Sequence, residues 1–65
     1  MDIDQFQNKV VETRNWMADN LDRSTLKFPS DDDVWAFITT KWPRILTDDA
    51  EKVLGEAMKN VPMAS

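Results

Sequence analysis

The sequence predicts an all-α fold, a small three-helix bundle with a short extra turn at 43–46. Three observations carry this expectation. Apolar residues recur at spacings of three, four and seven, as one face of a helix requires. Ser, Thr and Asp stand directly before the apolar runs, where helices are capped. Chain breakers are few, with one Gly and three Pro in 65 residues. This length makes one domain, 1–65, and a marginal one, since a chain of about 60 residues buries only about 60% of its unfolded surface.

The first helix is expected at about 2–21. Ile3, Phe6, Val10, Val11, Trp16, Met17 and Leu21 form its apolar side. Asp2 is placed to cap it, with Gln5 three residues on as in a capping box, and Met1 and Phe6 stand at the two positions of a hydrophobic staple. Asp4, Gln5, Asn8, Glu12, Asn15 and Asp19 fall on the polar side.

Residues 22–30 read as a connection rich in turn and cap formers, Ser24, Thr25, Pro29 and Ser30. It is long for a helix–helix link, which typically runs about 2–8 residues. An ordered loop of this length is expected to pin Leu26 or Phe28 into the core. The second helix, at about 31–42, starts from Ser30 as N-cap. Asp31, Asp32 and Asp33 fill its first turn and complement the partial positive charge there. Pro43 ends it, because the residue before proline avoids the helical region. Val34, Trp35, Phe37, Ile38 and Trp42 span roughly 160° of this helix at 100° per residue. So wide a stripe faces the core along one part and something else along its edge, near Trp35 or Trp42.

Pro43 to Leu46 reads as a single turn, with Ile45 and Leu46 closing the core. The third helix is expected at about 48–60 with Thr47 as its N-cap. Ala50, Val53, Leu54, Ala57, Met58 and Val61 share one face, and residues 62–65 are expected to fray. Gly55 stands inside this helix, on the wheel position opposite the Val53–Ala57 stripe.

Composition excludes several functions. The chain has no Cys and no His, so disulfides and the usual zinc and haem sites are ruled out. Eight basic residues against twelve acidic ones give a net charge of -4, against the basic footprint that nucleic-acid binding needs. Arg23, Lys27, Lys41 and Arg44 alone are placed to gather, around the two central connections. The longest unbroken apolar stretch, Val34 to Ile38, is five residues, far below the about 20 of a membrane span. The acidic start Met1-Asp2-Ile3-Asp4 is unlike a secretory leader, and a cytoplasmic location is expected.

No catalytic pattern emerges. Asp31-Asp32-Asp33 invites a calcium reading, but the sixth and twelfth positions of such a loop would be Ala36 and Trp42 instead of Gly and Glu. Helix capping accounts for the triplet. There is no nucleophile elbow and no glycine-rich phosphate loop. No enzyme, cofactor, metal or small-molecule substrate is therefore expected. A helix-turn-helix reading meets a last helix with Asp48, Asp49, Glu51 and Glu56 against Lys52 and Lys59, which DNA would repel. An acidic mimic of nucleic acid would need its carboxylates in rows. The clusters at 31–33 and 48–49 belong to helices that a short turn should make antiparallel.

The three Trp residues are the most informative feature. They either fill the core or anchor a protein interface, where Trp is enriched. Trp16 lies on the inner stripe and is expected to be buried, whereas Trp35 or Trp42 should keep contact with solvent. Gly55 is either a tolerated surface glycine or a point of close approach by a second chain. The expected function is a small acidic interaction module, a regulator or inhibitor, that binds another protein or itself through Trp35, Trp42 and Gly55. The alternative is a small DNA-associated transcriptional regulator.

Overall fold

A computed structural model describes residues 1–59. It holds three helices in chain order: α1 (Ile3–Asp19), α2 (Asp31–Lys41) and α3 (Thr47–Met58). Among the described residues there is no strand, only an isolated bridge between Asp22 and Lys27. α3 packs against both α1 and α2, which touch each other least. The molecule is thus a three-helix bundle. Among these helices none is long and apolar enough to cross a membrane.

Local signals account for most helix ends. Asp2 Oδ1 accepts from the Gln5 amide at 2.8 Å, and Ser30 Oγ accepts from the Asp33 amide at 3.3 Å. α1 stops at Asp19, two residues before the expected end, where the Leu21 amide tightens onto the Ala18 carbonyl and Asn20 Nδ2 donates to the Trp16 carbonyl at 2.8 Å. Trp42 is the C-cap of α2, one residue short of expectation. Trp42 to Ile45 then forms one hydrogen-bonded turn with Pro43 at its second position, which proline favours.

Thr47 does not cap α3. Leu46 holds the extended cap position with no side-chain bond, and Thr47 is already the first helical residue. The turn delivers the chain into the helix one residue early. Val61 and residues 62–65, expected to extend the apolar face and to fray, lie outside the described residues.

The buried centre is built from Val10, Thr13 and Met17 of α1, Val34 and Ile38 of α2, and Ala50, Val53 and Ala57 of α3. Each set keeps helical spacing. Two alanines let α3 lie close to both neighbours. Val11, placed on the inner stripe by the sequence, is 55% exposed, and Ile3 is 70% exposed. Thr13 takes the inner position, since it falls three residues after Val10 and four before Met17. Its hydroxyl donates to the Lys9 carbonyl at 2.7 Å and so enters the core satisfied.

Phe28 packs against the core, but Leu26 is 67% exposed. A tight turn explains the difference. The Asp22 amide donates to the Lys27 carbonyl and the Leu26 amide to the Asp22 carbonyl, while Asp22 Oδ1 accepts from the Ser24 and Thr25 amides. Closing that turn forces Leu26 to a φ of 58°, and its side chain leaves the bundle. Likewise Ile45 packs on the core, whereas Leu46 is 69% exposed.

Candidate functional site

All six aromatic residues lie in a half-buried shell, and none reaches the fully buried centre. The centre of three short helices is filled by aliphatic side chains, so the larger rings are displaced to its rim. Trp16, expected to be buried, is half-buried like Trp35 and Trp42. The three Trp residues therefore do not separate into one inner and one outer class.

Three of these rings form a ladder between α1 and α2. Trp16 of α1 stacks on Phe37 of α2, with centroids 4.6 Å apart and planes at 18°. Phe37 meets Trp42 edge to face at 6.0 Å and 84°. Both are favoured aromatic geometries. Cations rest on the ladder. Lys9 Nζ lies 5.4 Å from the Trp42 ring centroid, and Lys41 Nζ lies 5.9 Å from both the Phe37 and the Trp42 centroids. These are cation–π distances, and they place two ammonium groups over one apolar surface.

An open groove flanks the ladder on each side. The first, of about 870 Å³, has Trp16, Phe28, Pro29 and Phe37 as apolar lining, with Lys27 and Lys41 opposed by Asp22 and Asp33. The second, of about 460 Å³, has Trp42, Pro43, Ile45 and Leu46 as apolar lining, with Lys9, Lys41 and Arg44 opposed by Asp49. Four of the eight basic residues and only three of the twelve acidic ones line the two grooves. The first groove is thus balanced in charge, and the second is locally basic on an acidic chain. Of the cations expected to gather, Lys41 lies with Lys27 in the first groove and with Arg44 in the second, Arg23 lines neither groove, and Lys9 joins the second from α1.

The three residues singled out from the sequence are not brought together. Trp42 is part of the ladder and lines the second groove. Trp35 packs on the core from the other flank of α2, roughly 160° around the helix from Phe37 at 100° per residue. Gly55 is exposed on α3, and a Cβ built there meets nothing within 4 Å. No described residue outside its own helical turns approaches it closely. Phe37, Lys9 and Lys41 were missed as members of one surface. Phe37 was legible as an apolar position, but its stacking partner lies on another helix.

Asp31, Asp32 and Asp33 are exposed at the start of α2, and among the described residues no three acids converge on a metal position. The arrangement offers hydrophobic contact, ring stacking and positive charge. Compared with known proteins, the chain matches no family model, no curated protein and no solved structure.

Proposed function

We propose that this chain is a non-enzymatic interaction module of the cytoplasm, a small regulator or inhibitor that acts by binding another protein. The ladder Trp16–Phe37–Trp42, left half-open between two grooves, is the observation that carries this reading. Tryptophan and arginine beside apolar surface are among the residues that dominate binding energy at protein interfaces, and Trp42 and Arg44 line the second groove together. Trp42 is the anchor of this surface. Trp35 on α2 and Gly55 on α3 lie apart from this surface and from each other, and each would serve only a separate contact, such as one between two copies of the chain.

Affinity capture from the native host, with the chain and its Trp42→Ala and Trp35→Ala variants as baits, tests the reading. Solution mass is measured at several concentrations alongside. A protein retained by the chain and lost from the folded Trp42→Ala variant is the expected result. Equal retention and equal mass for all three baits would remove the interface from this face.

A DNA-associated regulator draws on the four cations that line the two grooves. It predicts retention on DNA that falls steeply with salt, because released counterions drive such binding. The net charge of -4 opposes it.

A further inference from the structure

We propose that the second groove binds an acidic peptide segment of a partner protein, one in which carboxylates flank bulky apolar residues; this rests on the interaction-module reading above and names its partner. The floor of the groove is Trp42, Pro43, Ile45 and Leu46. Leu46 is 69% exposed at a position where the local sequence suits a core residue, so the groove presents apolar surface that no described residue covers. The rim carries Lys9, Lys41 and Arg44, with Asp49 as its acidic member. Such a surplus of positive charge is unusual on a chain of net charge -4, and it attracts carboxylates over the Debye length.

The cations and the apolar floor act on the same ligand. Lys9 and Lys41 hold their ammonium groups over the Trp42 ring, so a side chain resting beside that ring has two positive charges within reach. A volume of about 460 Å³ suits a few side chains of an extended or single-turn segment, within the range of ligand-sized clefts. Nucleic acid fits less well. It needs a continuous track of cations, and here Asp49 interrupts one groove while Asp22 and Asp33 interrupt the other.

The test uses the full chain and a synthetic ten-residue peptide alternating Glu with Leu and Phe. Controls are the same peptide with Lys for Glu, the same peptide with Ser for Leu and Phe, and a single-stranded oligonucleotide. Binding is read by tryptophan fluorescence and by shifts of the Trp42 indole N–H in nuclear magnetic resonance. The expected result is saturable binding of the acidic apolar peptide alone, weakened about tenfold or more by Lys41→Glu with Arg44→Glu and by added salt. Lys27→Glu, in the first groove, should leave it within about twofold. Circular dichroism verifies that each variant folds. Absence of a Trp42 shift at millimolar peptide overturns the proposal. So does equal binding of the Lys or Ser peptide, or preferential binding of the oligonucleotide. If the peptide fails while Trp42→Ala still abolishes partner capture, the acidic occupant is wrong and the interaction surface stands.

Discussion

The guanidinium of Arg14 donates a hydrogen bond from Nη2 to the backbone carbonyl of Lys59 at 2.8 Å, so α1 supplies the cap that α3 lacks. The last turn of α3 contains no basic residue, and Lys59 is its C-cap. A cation at that end satisfies a free carbonyl and opposes the negative end of the helix dipole. Arg14→Ala should lower stability by up to about 1 kcal/mol, with a smaller loss in high salt. Urea unfolding at two salt concentrations measures both. An unchanged midpoint would mean that solvent caps α3 equally well.

The two cap positions should respond differently. Ser30 accepts from the Asp33 amide, whereas Thr47 is the first helical residue and caps nothing. Ser30→Ala should cost about 0.5–2 kcal/mol. Thr47→Ala should be neutral, or stabilising by a few tenths of a kcal/mol, roughly the propensity gain of alanine. Thermal melts of the two variants decide it, and an equal loss in both would restore Thr47 as a cap.

Leu26 is strained without burial in return. Its φ of 58° costs an L-residue roughly 1–2 kcal/mol, and its side chain is 67% exposed. Leu26→Gly should therefore raise stability by up to about 1 kcal/mol, after the entropy of the unfolded glycine is subtracted. A lower melting temperature would show that the leucine side chain contributes packing after all.

Gly55→Ala should also stabilise, by about 0.5–1 kcal/mol, because the added methyl group meets open space inside a helix. Solution mass and partner capture are measured on the same variant. Higher stability with unchanged association makes Gly55 a tolerated surface residue. Higher stability with weakened association places a second chain against it.

The sequence alone determined the three helices and the first two caps, because those features depend on residues within about one turn of each other. Asp2 with Gln5, Ser30 with Asp33, and Pro43 after Trp42 are such pairs. Periodicity also identified Val10, Met17, Val34, Ile38, Ala50, Val53 and Ala57 as core. Tertiary structure decided the rest. Thr13 displaced Val11 because the direction of the packed face is set by α3, and a satisfied hydroxyl made the exchange tolerable. Leu26 and Leu46 stayed outside because the turns that carry them are closed by backbone bonds which fix where their side chains point. The stacking of Trp16 on Phe37, the placing of Lys9 over Trp42 and the reach of Arg14 to Lys59 join different elements. No local spacing encodes them, since each depends on how α1 and α2 settle against α3 once the small centre is filled and the large rings are left at its rim.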